Sequence, residues 1–139
     1  MTLQEIHDKI KAHLLAQGRP AWSTALSSCA YRTSDGNGGT LMCAVGCLIK
    51  DDVYERYQNN KGYALIEGRK VSHLNLRRAL ADSGIEAEEG TRMQELLSRW
   101  QLIHDDAADE LMGDVDTRNW AQKIHDGAAH IASELHINP

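Results

Sequence analysis

Two long stretches of apolar residues at helical spacing, both in the C-terminal half, constrain the fold more than any other feature of the sequence. The first stretch covers 93–111. Thr91 and Gln94, which have the spacing of a capping box, mark the start of its helix. The second stretch covers 120–135, and a third one near the N-terminus covers 3–14. Helices of this kind bury one face, so the chain is predicted to fold around packed helices.

The segment between these helices predicts a small amount of β-structure. Residues 29–33 and 40–45 have the composition of strands, and the segment 34–39 between them is rich in Gly, Asn and Asp, which favour tight turns. A length of 139 residues suits a single domain over 1–139 with one core. We therefore predict an α+β fold, mainly α, in which one small β-hairpin (about 29–45) packs on four to five helices.

The segment CAVGCLI, residues 43–49, is made of small and apolar residues and is predicted to be buried. Gly46 would allow two backbones to approach closely. Cys43 and Cys47 are interpreted first as small packing residues, because free cysteine is among the most buried residue types. Elsewhere we predict a loop over 21–28 and shorter helices over 51–57 and 71–80.

The charge is unevenly distributed along the chain, whose formal net charge is −5. Residues 82–116 contain eleven acidic and two basic residues, whereas 61–78 contain five basic and one acidic residue. The excess of acid argues against direct, non-specific binding of nucleic acid, which depends on Lys and Arg. Solvated helix faces would explain the pattern, and so would an acidic surface for a basic partner or a basic patch for an anionic ligand.

The N-terminus and the cysteine count favour a cytoplasmic protein with reduced thiols. Charged residues interrupt the first ten positions, where a secretory signal needs an apolar run. No stretch approaches the roughly 18 apolar residues that a membrane-spanning helix requires. We therefore expect no membrane partner, and we expect no cofactor.

A metal site is the first alternative use of the cysteines. Cys29, Cys43 and Cys47 together with one histidine could provide a zinc site. The spacing lacks the paired Cys-x-x-Cys knuckles of structural zinc sites, so no metal is the primary expectation.

Catalysis by a thiol is the second alternative. Cys47 could act as a nucleophile with His104 as its base. His104 lies on the apolar stripe of its helix, which is more typical of a packed histidine than of a catalytic one. Asp105 points about 100° away from it on a helix, so the two side chains are not expected to meet.

Two surfaces are the candidate binding sites. Tyr31, Arg32 and Asp35 surround the predicted hairpin turn, where a glycine-rich backbone could contact a small ligand or a partner. The acidic helix face over 105–110 is the other candidate surface; its residues of interest are Asp105, Asp106 and Asp109.

One pattern in the chain resembles an uncharacterised family of small proteins from tailed phages and prophages. The pattern is CxYRxxDG followed by CAVGCLI, at Cys29–Gly36 and Cys43–Ile49. Ile66-Glu67-Gly68, Ile103-His104-Asp105 and Trp120 extend the resemblance over most of the chain. In these relatives the turn after Asp-Gly is shorter. The resemblance implies a phage origin and a small helical domain, and it supplies no catalytic residues.

The combined expectation is a phage-encoded binding protein in the cytoplasm of an infected bacterium. It would block or sequester a host component by stoichiometric association: a defence or nucleic-acid-processing protein, or a signalling nucleotide. The sequence is also compatible with a homo-oligomer. The alternative is a small Cys/His-dependent hydrolase or transferase that acts on a small molecule.

Overall fold

The computed structural model describes residues 1–58, 65–110 and 119–139. In this part of the chain, five α-helices and two small antiparallel strand pairs form an α+β fold that is mainly α, as the sequence predicted. The helices are α1 (Leu3–Gln17), α2 (Asp51–Gln58), α3 (Leu74–Asp82), α4 (Arg92–Glu110) and α5 (Trp120–Leu135). The strands are β1 (Trp22–Ser23), β2 (Ser28–Cys29), β3 (Arg32–Ser34) and β4 (Thr40–Met42).

Local side-chain chemistry fixes the ends of the first helix. The Thr2 hydroxyl accepts a hydrogen bond from the Glu5 N–H at 3.1 Å, and the Glu5 carboxylate accepts one from the Thr2 N–H at 2.6 Å. This reciprocal pair is a capping box. Gly18 ends α1 in the left-handed conformation, with a φ of 74°.

The core lies between the three long helices, because α4 packs against α5 and both pack against α1. Trp100 and Trp120 are buried there, and both indole N–H groups have partners. Trp100 donates to the His7 Nδ1 at 3.1 Å, and Trp120 donates to the Leu14 carbonyl at 2.7 Å. Both buried indole N–H groups are therefore satisfied.

The predicted hairpin is present as β3 and β4, with Arg32 opposite Met42 and Ser34 opposite Thr40. Asp35 shapes its turn, since its carboxylate accepts the N–H groups of Asn37 at 2.7 Å and Gly39 at 2.9 Å. These hydrogen bonds stabilise the ionised form and lower the pKa of Asp35.

A second strand pair lies where the sequence predicted a loop. β1 pairs with β2, with Trp22 opposite Cys29 and Ser23 opposite Ser28. The prediction of a loop over 21–28 was therefore wrong at its two ends, and Cys29 belongs to this pair rather than to the expected hairpin. Strands of two residues are too short to show the alternation that identifies a strand in a sequence.

The segment 43–49 connects β4 to α2 and is buried except at the half-buried Cys47, as predicted. It contains a short 3₁₀ turn over Gly46–Leu48. The Cys43 sulfur accepts a hydrogen bond from the Gly46 N–H at 3.2 Å, and the Cys47 thiol donates to the Ala44 carbonyl at 3.1 Å. Among the helices of the described ranges, none combines the length and apolar character needed to span a membrane.

Candidate ligand-binding cleft

A cleft of about 470 Å³ lies between the end of the β1–β2 pair, the turn that precedes α3, and one face of α4. Its lining combines apolar surface with charged and hydrogen-bonding groups. The lining residues are Cys29, Ala30, Tyr31, Gly68, Arg69, Lys70, Val71, Ser72, Ser98, Gln101, Leu102 and Asp105.

The turn before α3 places two cations on one wall of the cleft. The Arg69 N–H donates to the Ile66 carbonyl at 3.0 Å, and Gly68 within this turn has a φ of 74°, which favours glycine. Ile66 is fully buried and anchors the turn, whereas Arg69 and Lys70 are exposed. Among the described residues, neither cationic side chain has a hydrogen-bond or ion-pair partner, so both are available to a ligand.

Tyr31 attaches this turn to the strands. Its N–H donates to the Glu67 carboxylate at 2.5 Å, and its hydroxyl donates to the Arg69 carbonyl. Tyr31 is only 5% exposed, and burial raises its pKa. Burial also raises the pKa of Glu67. These two hydrogen bonds hold the backbone of the cationic wall at a fixed distance from the rest of the cleft.

The wall formed by α4 presents a carboxylate that is held by two donors. The Asp105 Oδ1 accepts hydrogen bonds from the Gln101 side-chain amide and from the His104 Nδ1, each at 2.9 Å. The Gln101 amide is oriented in turn, because its oxygen accepts the Val45 N–H at 3.4 Å. The Asp105 side chain remains 41% exposed and lines the cleft.

The tautomer of His104 follows from its hydrogen bonds. Its ring is fully buried, and its Nε2 lies 3.0 Å from the Ala21 backbone nitrogen. A backbone N–H can only donate, so Nε2 must be the acceptor and the proton of the neutral ring is on Nδ1. His104 therefore donates to Asp105 and connects that carboxylate to the backbone before β1.

The expectation that His104 and Asp105 would not meet was wrong. Neighbouring Cβ atoms on a helix do diverge by about 100°. Nδ1, however, is the ring nitrogen nearer to the backbone, so a carboxylate on the next residue can still reach it. Contact between them is therefore compatible with a regular helix.

These hydrogen bonds do not form a nucleophile–base pair. A Cys-His-Asp triad needs the second histidine nitrogen to face the thiol, and in His104 that nitrogen accepts the Ala21 N–H. The Cys47 thiol donates to Ala44 instead, and burial raises its pKa to about 12. Burial also raises the pKa of Cys43 well above its ordinary value.

The three thiols do not share a metal-binding group within the described ranges. The group of three potential ligands found there is Cys29, His104 and Asp105, whose ligand atoms lie within 4.8 Å of one another. A metal ligand needs a lone pair on the histidine nitrogen. In His104, Nε2 is used by Ala21 and Nδ1 carries the proton, so the observed hydrogen bonds compete with metal binding.

The predicted residues around the hairpin have contacts within the chain. Arg32 has a side chain that is 11% exposed, and it pairs with Asp51 at 2.6 Å, donates to the Ile49 carbonyl and lies 4.8 Å from the Tyr54 ring centroid. Tyr31 is at the cleft wall, and Asp35 is half-buried in its turn.

The three predicted acidic residues of α4 do not share one environment. Asp105 lines the cleft, and Asp106 is exposed. The side chain of Asp109 lies outside the described part of the chain. Of the candidate residues from the sequence, the cleft contains Tyr31, Asp105 and Cys29.

Sequence reasoning missed Arg69, Lys70 and Gln101 as residues of the site. The excess of basic residues over 61–78 was the available signal for the first two. For Gln101 the available signal was its position four residues before Asp105 on a predicted helix, a spacing at which the two side chains can bond. Its contact with the Val45 N–H had no signal in the sequence.

Comparisons of the chain with protein-family models, with curated proteins and with solved structures each found no match.

Proposed function

We propose that this chain is a binding protein that sequesters a small anionic ligand of nucleotide size in the cleft. One observation carries the proposal: two cations without partners in the described residues, Arg69 and Lys70, share a cleft of about 470 Å³ with the oriented carboxylate of Asp105. Ligand sites typically enclose about 300–1,000 Å³ and combine apolar surface with a few oriented polar groups. The cleft has both properties.

The charge of the cleft favours a phosphate at its cationic wall. The whole chain has a formal charge of −5, so an anion gains from the protein only where cations are concentrated. Arg69 can form a bidentate pair with phosphate oxygens, and Lys70 adds a second positive charge beside it. An anion with a ring system would bring its apolar part against the lining at Ala30 and Val71.

The state of the titratable groups supports binding rather than catalysis. The imidazole in this region has both nitrogens in hydrogen bonds, to Ala21 and to Asp105. The pKa values of Cys43 and Cys47 are raised by burial, which disfavours the thiolate that nucleophilic attack requires. Stoichiometric binding needs none of these groups to change state.

The resemblance to small phage proteins supports a host signalling nucleotide as the target. A phage protein that removes such a nucleotide needs affinity and abundance, and it needs no turnover. Among the expected partners, a host protein or a small nucleotide, the cleft favours the nucleotide.

Native mass spectrometry of the protein purified from cells tests the proposal, with the same sample measured again after denaturation. We expect a nucleotide-sized mass excess that disappears on denaturation. The double variant Arg69→Glu/Lys70→Glu should lose this excess.

The matched control is Lys50→Glu/Arg78→Glu, which reverses two exposed charges that do not line the cleft. It should retain the bound mass. A bare chain mass, combined with no heat of binding in calorimetric titrations with a panel of nucleotides, would contradict the proposal.

A further inference from the structure

We infer that the cleft selects nucleotides whose base carries an exocyclic amino group, and that Asp105 makes this selection. The inference rests on the proposed function, since it concerns how the same cleft recognises its ligand. It adds a chemical class of base to the phosphate site at Arg69 and Lys70.

The two carboxylate oxygens of Asp105 have different surroundings. Oδ1 accepts from both the Gln101 amide and the His104 Nδ1–H, each at 2.9 Å. Neither of these hydrogen bonds reaches Oδ2, the Cys29 sulfur lies within 4.8 Å of a carboxylate oxygen, and the side chain is 41% exposed at the cleft. Oδ2 is therefore the oxygen that remains for a ligand, and it is an acceptor.

The Asp105 carboxylate is held in a fixed orientation. The Ala21 N–H fixes the His104 tautomer at 3.0 Å, and the Val45 N–H fixes the Gln101 amide at 3.4 Å. Two backbone groups thus orient the two donors that hold Asp105. The carboxylate has no proton to donate, and the Gln101 and His104 donors are both directed at Oδ1, so the group held toward the cleft is an acceptor.

The acceptor at Oδ2 is complementary to a donor on the base. An exocyclic amino group can donate to Oδ2, whereas an oxo group at the same position would place two acceptors against each other, and the ring N–H beside that oxo group would reach Oδ2 only if the base shifted in the cleft. A site that pairs with a donor on its ligand discriminates strongly against an analogue without that donor. An apolar pocket discriminates much less between ligands of similar shape. A base whose amino group reaches Oδ2 should therefore bind more tightly than its oxo counterpart.

The experiment is calorimetric titration of the full chain with three pairs of nucleoside monophosphates. The pairs are adenosine with inosine, guanosine with xanthosine, and cytidine with uridine monophosphate, which differ by an amino group against an oxo group. We expect at least one pair to differ by tenfold or more in Kd, with the amino member bound more tightly. This comparison uses the wild-type chain and requires no variant to fold.

Asp105→Asn provides the second measurement, because an amide can offer an N–H to an oxo group. The variant should lose or reverse the preference between the members of the discriminating pair. Asp106→Asn, the exposed neighbour on the same helix, should keep the preference.

Equal binding of the amino and oxo members by the wild-type chain would overturn this inference and leave the proposed function standing. An unchanged preference in a folded Asp105→Asn variant would also overturn it. No binding of any of the six nucleotides would overturn this inference, and the proposed function would then be judged by the mass spectrometry described above.

Discussion

Gly46 lies against the backbone of Tyr31 so closely that a Cβ on residue 46 would be 2.0 Å from the Tyr31 carbonyl oxygen. That oxygen is not free to move away, because it accepts the Cys43 N–H at 3.1 Å. The glycine of the segment 43–49 is therefore required by a contact between two backbones. The contact also fixes Tyr31, which holds the cationic wall of the cleft.

The variant Gly46→Ala should be destabilised, even though it adds a single methyl group. The clash involves a hydrogen-bonded backbone carbonyl, so relief requires a shift of the chain, which costs about 1–3 kcal/mol in an overpacked core. The free energy of unfolding in urea measures the effect.

Gly127→Ala is the matched control, since its added Cβ would meet the Ile103 side chain at 2.5 Å rather than a backbone. The Ile103 methyl is on a β-branched side chain, which is stiff in a helix, so relief requires a small shift of that half-buried side chain rather than of a hydrogen-bonded backbone. Part of this cost is offset because alanine is a better helix former than glycine. The loss should therefore be clearly smaller than for Gly46→Ala. Equal losses in the free energy of unfolding would show that the Tyr31 backbone can shift at little cost.

Arg32→Ala should destabilise the fold by about 1.5–3 kcal/mol, the range for hydrogen bonds to charged groups. The guanidinium is 11% exposed and joins β3 to the start of α2 through Asp51 and the Ile49 carbonyl. The change would leave that carbonyl without its donor. Thermal and urea unfolding would both report the loss.

Arg56→Ala is the control for removing a paired arginine at the surface. Arg56 bonds to Asp82 at 2.7 Å with the two side chains 61% and 45% exposed, so its removal should cost less than about 1 kcal/mol. If the two arginine variants unfolded at the same urea concentration, the buried contacts of Arg32 would contribute no more than an exposed ion pair.

The buried His7 should make the stability fall as the pH drops below about 6.5. Its Nδ1 accepts the Trp100 indole N–H, and burial lowers its pKa from the ordinary value of 6.5, with Lys11 acting in the same direction and Asp8 against it. Below that pH, His7 binds a proton in the unfolded chain more readily than in the folded chain. The free energy of unfolding should fall by at most about 1.4 kcal/mol per pH unit as His7 titrates. Above pH 6.5 the contribution of the neutral His7 to stability is fully present.

Urea titrations at several pH values between 7.5 and 5 measure this dependence. His7→Gln removes the titrating group, so its stability should change less steeply over this window. His130→Gln, at an exposed position of α5, is the control for removing a surface histidine. A His7→Gln slope as steep as that of the unmodified chain would refute the assignment.

Cys43 and Cys47 should resist alkylation in the folded chain. With a pKa of about 12, Cys47 has very little thiolate at pH 8, and it should react at least about a hundredfold more slowly than an unperturbed cysteine. Iodoacetamide labelling followed by peptide mass spectrometry gives the rate at each thiol. Labelling in urea should restore ordinary reactivity, and fast labelling of either residue without urea would contradict its burial.

The helices could be predicted from the sequence because their signals are local. Thr2 and Glu5 lie within one turn of each other, and the stripe over 93–111 repeats at helical spacing. The glycine-rich turn at 34–39 was equally local. The fold class therefore followed from patterns within short windows.

The cleft could not be predicted in this way because contacts distant in sequence create it. The two hydrogen bonds of Tyr31 that hold the cationic wall join residues 36 and 38 positions apart. The role of His104 depends on Ala21, which is 83 positions away. Such contacts are decided by packing, and no pattern in a single window contains them.

The walls of the cleft come from three separated segments, 29–31, 68–72 and 98–105. No partly folded chain that lacks one of them can bind, so the site is completed only when the tertiary contacts are in place. Under the proposed function, a bound nucleotide would add its binding free energy to the finished fold alone. During translation the protein would become competent only after α4 has emerged from the ribosome, and resistance to proteolysis should rise with ligand concentration.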